Sequence, residues 1–445
     1  MKSPTPPVKR REHRSRSALA ETRELAQASE PIQTPEPIQT PTQEQSPTPE
    51  SVPAPTPDSI DQSSHCRWDA ILDAWTIISP GRGKRPIEFV TRREHKSGQV
   101  CPFCPGNESM TPDPVLKLAN PDYCGSPDQV GEAFVKSPWR VRVVPNRFPA
   151  IQNLEPRESR DASAAAGSPF LEAMLGDDSD APATESAPQL LRSKLLQRRP
   201  IRGGHEVVIE TPQHEQSFSD YSWPHIEQVF RCLRDRLRYW NSIKDVQYVS
   251  LFKNCGPDAG ASLVHPHSQI LAMDSVPPNV ARAVSRMRQH RAKTGCCLQC
   301  DLIREEFRDG RRIVLADSEM VAYCPYASRI PMQLRVTPRN HEGCLADISD
   351  ERIDYVGRWL QRAISLLEAS GGEVSYNVVF NVRPAKLDDA SEAFHWSIDL
   401  FPRISKIAGF EWGTGMMINP VSPEDAAEAY CQSFRGNAAA TPART

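Results

Sequence analysis

Apolar residues follow two kinds of spacing along the chain, and each kind predicts a different element. From Ser222 to Trp240 they recur every three or four residues, as on one face of a helix. Ser222 suits the N-cap of this helix and Pro224 suits its first turn. A second stretch with helical spacing runs from about Asp350 to Ala369. The sequence therefore predicts two long amphipathic helices.

Shorter apolar stretches, rich in β-branched and aromatic residues and often stopped by proline, predict strands. They read WDAILDAWTIISP, WRVRVVPNRFPA, HEVVIETP, VQYVSLFKN, SLVHPHSQILAM, YNVVFNV and FHWSIDLFP. A Cys-rich turn, a strand ending in Thr-Pro, a helix and two strands follow one another twice. This repeat predicts an α+β fold of two tandem halves, with helices packed on antiparallel sheets.

Composition divides the chain further. Residues 1–62 are rich in Pro, Gln, Thr, Ser and Glu and carry almost no aromatic residues, so we expect a disordered tail. The first half then covers 63–280, with a flexible insertion at 155–198 of similar composition. The second half covers 281–435. We expect 436–445 to form a disordered tail.

Charge and cysteine content narrow the class of protein. The formal net charge of -3 offers no broad positive field for a nucleic acid. No stretch approaches the roughly 20 apolar residues that span a bilayer, and the N-terminus lacks the apolar core of a signal peptide. We therefore expect a cytoplasmic protein with no membrane or nucleic-acid partner. In that reducing compartment, paired cysteines among the 12 present indicate metal ligands rather than disulfides.

Each half carries two cysteines and two histidines in the same order. The first set is Cys101, Cys104, His214 and His265, and the second is Cys297, Cys300, His341 and His395. Four-coordinate zinc takes this ligand set, and four protein ligands leave no open position to activate water. We expect one or two structural zinc ions per chain. The alternative is that these are buried thiols and hydrogen-bonded core histidines.

The segment LVHPHSQI holds the candidate chemistry. Alternate residues of a strand share a face, so His265, His267 and Gln269 are expected to line up. A fixed, neutral His267 is a competent nucleophile toward phosphorus, and Gln269 can hydrogen-bond the phosphoryl oxygens. The second half has Ser397 at the position of His267, which suits one catalytic and one supporting half. The alternative is that His267 is a metal ligand or a core histidine.

Other residues are weaker candidates. Three are placed to approach a phosphate from the same region: Asn254, Gly260 and Ser262. Three arginines are plausible phosphate partners, although each also suits a solvated surface: Arg82, Arg85 and Arg147. We interpret three further histidines as structural: His205, His225 and His290.

These motifs resemble those of the galactose-1-phosphate uridylyltransferase family, within the histidine-triad superfamily. The stretches that carry the resemblance are SPGRGKRP, CPFCPGNE, PNRFPA, HEVVIETPQH, FKNCGPDAGASLVHPHSQI and EWGTGMMINPVSPEDAAE. The resemblance covers nearly all of the chain outside the tails and the insertion. It implies two histidine-triad-like halves, a homodimer, and small-molecule substrates, namely a nucleotide sugar and a sugar 1-phosphate.

The resemblance also implies a reaction. UDP-glucose would give UMP to His267, and galactose 1-phosphate would then take it. Gln269 would contact the transferred phosphoryl group. Asn254, Gly260 and Ser262 fall on the family's nucleotide-phosphate positions, and the first Cys/His set would bind zinc.

The second half departs from the bacterial branch of the family, which has a second HxH and a glutamate around its second metal. Its Cys/His set looks closer to a plant-like branch that includes an ADP-glucose phosphorylase. Three alternatives therefore stay open. They are an ADP-glucose:phosphate adenylyltransferase, a histidine-triad-type nucleotide hydrolase, and a zinc-containing binding protein without turnover.

Overall fold

The computed structural model describes most of the two predicted halves. It covers residues 63–84, 100–120, 137–153, 199–372, 374–387 and 392–440, together with residue 196. The predicted tail 1–62, Arg85 and nearly all of the predicted insertion 155–198 lie outside the described residues.

The described residues form fourteen strands and six α-helices. The strands are β1 His65–Asp69, β2 Ala74–Ile78, β3 Leu116–Ala119, β4 Trp139–Pro145, β5 Gln152–Asn153, β6 Arg202–Ile209, β7 Tyr248–Cys255, β8 His267–Met273, β9 Ile313–Ala316, β10 Met320–Tyr323, β11 Leu334–Pro338, β12 Tyr376–Asn381, β13 Ser397–Pro402 and β14 Met417–Asn419. The helices are α1 Trp223–Ser242, α2 Pro278–Thr294, α3 Leu298–Asp309, α4 Asp350–Gly371, α5 Gly409–Thr414 and α6 Pro423–Ala440.

One 11-stranded sheet joins the two halves. Its order is β3-β4-β6-β8-β7-β12-β13-β11-β10-β9, and β5 pairs with β6. Antiparallel pairing of β7 with β12 links the halves, with Lys253 opposite Val378. On either side of this pair, β8 and β6 correspond to β13 and β11. The mixed α and β content with a large antiparallel sheet confirms the predicted α+β class.

The two long helices confirm the prediction made from the apolar spacing. In α1 the residues Ile226, Val229, Phe230, Leu233 and Leu237 are all buried. Helix α4 packs beside α1, and Gly357 lies where they cross, since a Cβ there would stand 2.8 Å from Ile226. This close approach explains why glycine is needed in a helix that it would otherwise destabilise. Both helices contribute to one large core beneath the sheet.

Three predictions about elements need correction. Strand β8 begins at His267, so His265 precedes it rather than sharing it. Pro266 lies between them and has no N–H to donate to a ladder. Strand β13 likewise begins at Ser397, after His395. The second Cys-x-x-Cys is not a simple turn, because Cys297 is the N-cap of α3 and Cys300 lies in its first turn.

Two of the predicted domain boundaries fall inside helices. The boundary at residue 280 falls inside α2, and the boundary at 435 falls inside α6, which continues to Ala440. The division into two halves, with these limits, stays a prediction. A small sheet of β1, β2 and β14 pairs the first described strands with the last one. Within the described part of the chain, no helix combines the length and apolarity of a membrane span.

Candidate functional site

The first Cys/His group lies beside the start of β8. Ligand atoms of Cys101, Cys104, His214 and His265 all lie within 4.8 Å of one another. The Cys104 sulfur is 3.3 Å from Nδ1 of His214 and 3.6 Å from Nδ1 of His265. The other ring nitrogen of His265 donates to the carbonyl of Thr211 at 2.7 Å. This contact fixes the ring with Nδ1 toward the sulfurs, the arrangement usual for a metal-binding histidine.

The second group repeats the arrangement between α3 and the start of β13. Its ligand atoms also lie within 4.8 Å of one another, and they belong to Cys297, Cys300, His341 and His395. The Cys300 sulfur is 3.7 Å from Nδ1 of His341 and 3.4 Å from Nδ1 of His395. Among the described residues, none hydrogen-bonds the buried Nε2 of His395. In the part of the chain that the structure describes, no carbonyl orients His395 as the Thr211 carbonyl orients His265.

The spacing in both groups fits one four-coordinate metal ion. A tetrahedral zinc with Zn–S of about 2.3 Å and Zn–N of about 2.0 Å separates sulfur and nitrogen by about 3.5 Å. The sulfur–nitrogen contacts in the two groups run from 3.3 Å, between Cys104 and His214, to 3.9 Å, between Cys297 and His395. Burial lowers the pKa of His265 to about 4, so this ring is neutral and able to ligate near pH 7. Both groups can therefore hold a metal ion.

His267 opens β8 and is 6% exposed. Its Nδ1 lies 2.8 Å from the carbonyl oxygen of His265. A carbonyl only accepts, so Nδ1 carries the proton and Nε2 carries the lone pair. Burial lowers the pKa of His267 below the usual histidine value, which keeps the ring neutral. The result is an imidazole fixed in one tautomer, with an unprotonated Nε2.

A cavity of about 450 Å³ opens beside His267 and Gln269. We call it the His267 cavity. Apolar groups make up much of its wall, among them Phe103, Val144, Val207 and Leu263. Its polar side chains are Thr111, Asn146, Arg147, Ser262, His267 and Gln269. A mostly apolar cleft with a few convergent polar groups is typical of a small-molecule site.

A buried ion pair lies beneath the start of β8. Lys253 Nζ donates to Glu210 at 2.8 Å, and the two side chains are 6% and 0% exposed. The Ser268 hydroxyl donates to the other Glu210 oxygen at 2.5 Å. Lys253 also lies 3.4 Å from the carbonyl oxygen of His267. These contacts attach three neighbouring strand ends to one another directly behind the His267 ring.

The other predicted residues are spread more widely. Ser262 and Arg147 line the His267 cavity. Asn254 accepts a hydrogen bond from Asn377 at 2.8 Å, in the strand pair that joins the halves. Gly260 follows in a loop with φ of +83°, a conformation that favours glycine. Arg82 lies on an exposed 3-10 turn and is not part of the cavity wall, and Arg85 is outside the described residues.

Sequence reasoning missed the Glu210–Lys253 pair and the contacts of His205. A signal was present, because Lys253 directly follows the stretch VQYVSLF within the predicted strand and Glu210 ends VVIE. A charged residue in an otherwise apolar strand indicates a buried partner. Which two of the many charged residues pair, however, depends on strand register, and one sequence does not reveal it.

A family profile matches the first half of the chain. The profile described as galactose-1-phosphate uridyl transferase, N-terminal domain, matches residues 54–277. A second profile, described only as a domain of unknown function, matches residues 200–439.

Whole-chain relatives agree with this match. An ADP-glucose phosphorylase of Arabidopsis thaliana is 27% identical over 377 residues, covering 83% of this chain and 93% of that protein. A galactose-1-phosphate uridylyltransferase of Thermotoga maritima is 23% identical over 368 residues, covering 81% and 96%.

Solved structures give the same result. The crystal structure of an Arabidopsis thaliana ADP-glucose phosphorylase with bound ADP-glucose superposes with a TM-score of 0.63 and 25% identity. It covers 83% of this chain and 99% of that one. A uridylyltransferase structure superposes with a TM-score of 0.56 at 21% identity, covering 84% and 99%, and so shares the fold. Since the family profile spans residues 54–277, about half of the 445 residues, the chain belongs to the galactose-1-phosphate uridylyltransferase family.

Proposed function

We propose that the protein transfers a nucleoside monophosphate from a nucleotide sugar to a phosphate-bearing acceptor through a covalent intermediate on His267. The observation that carries this proposal is the hydrogen bond from His267 Nδ1 to the carbonyl of His265, 2.8 Å long. It leaves the Nε2 lone pair available beside a cavity large enough for a nucleotide.

The reaction consists of two displacements at the same phosphorus. In the first, Nε2 of His267 attacks the α-phosphorus, a P–N bond forms, and the bond to the sugar phosphate oxygen breaks with its electron pair. The sugar 1-phosphate leaves. In the second, an oxygen of the acceptor phosphate attacks the same phosphorus, and the electrons of the P–N bond return to Nε2. The Nδ1 proton stays on the ring throughout, and the His265 carbonyl stabilises the positive charge of the intermediate.

Neighbouring groups have assigned roles in this proposal. Gln269 and the Ser262 hydroxyl hydrogen-bond non-bridging phosphoryl oxygens, and the Arg147 guanidinium offsets their negative charge. Asn254 and Gly260 shape the adjoining loop, where the backbone of Gly260 allows close approach. A phosphate role for Arg82 and Arg85 stays a prediction.

We further propose that zinc occupies both Cys/His groups. Cys101, Cys104, His214 and His265 would hold the first ion, and Cys297, Cys300, His341 and His395 the second. With four protein ligands, the ion supplies structural rigidity rather than an activated water. At the first site that rigidity bears on His265, whose carbonyl orients His267.

Two donors are candidates. The first is UDP-glucose exchanging with galactose 1-phosphate, as the family profile suggests. The second is ADP-glucose with inorganic phosphate as acceptor, which is favoured by the likeness to the Arabidopsis phosphorylase over 83% of the chain. Both use the same first displacement. They differ in the base that the cavity accepts and in the acceptor of the second displacement.

Intact mass spectrometry tests both the covalent intermediate on His267 and the identity of the donor. The purified protein, with its metal content measured, is mixed separately with UDP-glucose and ADP-glucose, beside His267→Asn as the control. We expect a mass increase by one nucleoside monophosphate that is absent in the variant. An increase by UMP supports uridylyl transfer, and one by AMP supports the second candidate. No increase with either donor in metal-loaded protein would contradict the proposed nucleophile.

A second assay excludes the hydrolase alternative. Turnover is followed with and without galactose 1-phosphate or inorganic phosphate. Transfer requires the acceptor, whereas a hydrolase releases product with water alone. The homodimer and the cytoplasmic location also stay predictions, testable by sedimentation and by cell fractionation.

A further inference from the structure

His205 is a buried histidine that the proposed reaction leaves without a role. It lies in β6 and is 8% exposed. Its Nε2 lies 2.9 Å from Oε1 of Gln269, the residue proposed to contact the phosphoryl group. Its Nδ1 lies 3.2 Å from the backbone nitrogen of Ala150. The ring therefore stands between a backbone N–H and the amide of Gln269.

The backbone contact determines the tautomer of this ring. An amide N–H can only donate, so Nδ1 of His205 must accept from Ala150. In a neutral imidazole the proton then lies on Nε2. The Asn146 side-chain nitrogen lies 3.4 Å from Nδ1 and 3.2 Å from Nε2, nearly equidistant from the two, so this contact does not distinguish the tautomers and the Ala150 N–H determines the assignment. Burial lowers the pKa of His205, in keeping with a neutral ring.

The tautomer in turn determines how Gln269 faces the cavity. A side-chain amide has an acceptor end and a donor end of nearly equal size, and the hydrogen-bond network decides which way it points. The Nε2–H of His205 requires the oxygen of Gln269 on its side. The NH₂ of Gln269 is then directed away from His205. Turned the other way, the amide would present its oxygen to a negatively charged phosphoryl group and repel it.

We propose that His205 is a positioning residue that sets the orientation of the Gln269 amide, so that its NH₂ group donates to the phosphoryl group during transfer. This inference rests on the proposed nucleotidyl transfer through His267. It assigns no contact between His205 and substrate.

A merely structural role is the competing explanation. The His205 ring also attaches the loop that carries Asn146, Arg147 and Phe148, since its Nδ1 accepts from the backbone N–H of Ala150 at 3.2 Å. Phe148 and Arg147 line the His267 cavity. Loss of the ring could therefore act on substrate binding through this loop. The test therefore has to distinguish the role of Nε2, which contacts Gln269, from the role of Nδ1, which contacts Ala150.

Two substitutions make that separation. His205→Gln places an amide nitrogen near the position of Nε2, so the donor to Gln269 is retained and the acceptor for Ala150 is weakened. His205→Asn places its amide near Nδ1, so it can accept from Ala150 but falls short of Gln269. If His205 acts through Gln269, the Asn variant is impaired and the Gln variant is not. If it acts through the loop, the order is reversed.

The measurement is the single-turnover rate of adduct formation with whichever donor labels the unsubstituted protein. We expect His205→Asn to lower this rate by about tenfold and Gln269→Ala by about 100-fold, on the scale of one oriented donor. His205→Gln should stay within about threefold of the unsubstituted rate. The double variant His205→Asn/Gln269→Ala should match Gln269→Ala alone, because the two residues act as one unit.

Three results would overturn the inference. They are an Asn variant as fast as the unsubstituted protein, a Gln variant as slow as the Asn variant, and a further tenfold loss when His205→Asn is added to Gln269→Ala. Absence of any adduct in the unsubstituted protein is a failure of the proposed function instead, and is read first. If the variants fold poorly, long-range ¹H–¹⁵N NMR of the unsubstituted protein decides, since an Nδ1–H tautomer of His205 contradicts the argument.

Discussion

The two halves of the sheet each place a histidine of a Cys/His group just before corresponding strands, but they begin those strands with different residues. Strand β8 begins with His267 and β13 begins with Ser397, each two residues after a histidine of a Cys/His group. In the second half, Asn381 donates to the Ser397 hydroxyl at 3.0 Å and to Asp399 at 2.8 Å. In the first half, the corresponding position faces a cavity.

The residues behind these strand starts differ as well. Lys253 pairs with Ser268 in the first half, whereas Phe380 pairs with Ile398 in the second. The charged groups of the second half lie in front instead, where Arg335 contacts Asp399 through two hydrogen bonds of 2.7 and 2.8 Å. A repeated frame has therefore kept its strands and Cys/His groups. The second half fills the space in front of the strand start with the Arg335–Asp399 ion pair, and the first half leaves it open beside the His267 ring.

The largest expected effect on turnover comes from substituting His267, the residue that distinguishes the two halves. His267→Asn keeps a hydrogen bond to the His265 carbonyl but removes the nucleophile, so turnover should fall by at least about 1,000-fold. Ser397→Ala, at the corresponding position, should stay within about twofold. Steady-state assays of both variants make the comparison. A similar loss in both would mean that the halves are not functionally distinct.

Removing one ligand from each metal group should separate activity from stability. Cys104→Ser should lower the metal content by one ion per chain and reduce turnover by about 10- to 100-fold, because His265 loses its anchor. Cys300→Ser should also remove one ion. Its main effect should be on thermal unfolding, because the second group lies away from His267. Metal analysis, calorimetry and turnover are measured on the same samples, and unchanged metal content in either variant would contradict this assignment.

The buried ion pairs offer a smaller test. Lys253→Met leaves Glu210 buried without its partner and should lower the free energy of unfolding by about 3–5 kcal/mol. Arg335→Met should lower the free energy of unfolding by a similar amount, because it leaves Asp399 buried without its cationic partner. Only the first substitution should also slow adduct formation, since Lys253 lies beneath His267. Denaturant unfolding and single-turnover rates test this, and equal effects on the rate would remove the distinction.

The smallest effect concerns acid. Burial, with a contribution from Arg140, lowers the pKa of His225 to about 4 in the folded protein. As the pH falls below about 6.5, the unfolded state binds a proton that the folded state refuses, so stability decreases until about pH 4. The loss is at most about 3 kcal/mol. His225→Phe should flatten this part of the curve, and an unchanged slope in urea unfolding between pH 7 and 4 would contradict it.

Much of this arrangement was predictable from the sequence because local spacing carries it. Spacing within each half carries the apolar stripes of α1 and α4 and the order of the two Cys/His sets. The same spacing shows that Ser397 corresponds to His267. The late start of β8 was not predicted, because Pro266 cannot donate to a ladder although the surrounding composition is strand-like. The helix that begins after Cys297 was predicted as a turn.

Contacts between distant segments could not be predicted from the sequence. The Glu210–Lys253 pair joins residues 43 positions apart, and the His205–Gln269 contact spans 64 positions. Such contacts follow from strand register, which one sequence constrains only weakly. The predicted phosphate role of Arg82 also shows this limit, since a basic motif does not reveal which side chain reaches the cavity.

The most direct test of the central claim is to find the atom that carries the nucleotide. The adduct formed from UDP-glucose or ADP-glucose is isolated, digested under conditions that preserve P–N bonds, and fragmented in the mass spectrometer. The account predicts a nucleoside monophosphate on His267 in the first half and none on the peptide that contains Ser397. A nucleotide on any other residue, or no adduct in protein that holds its metal, would contradict the account.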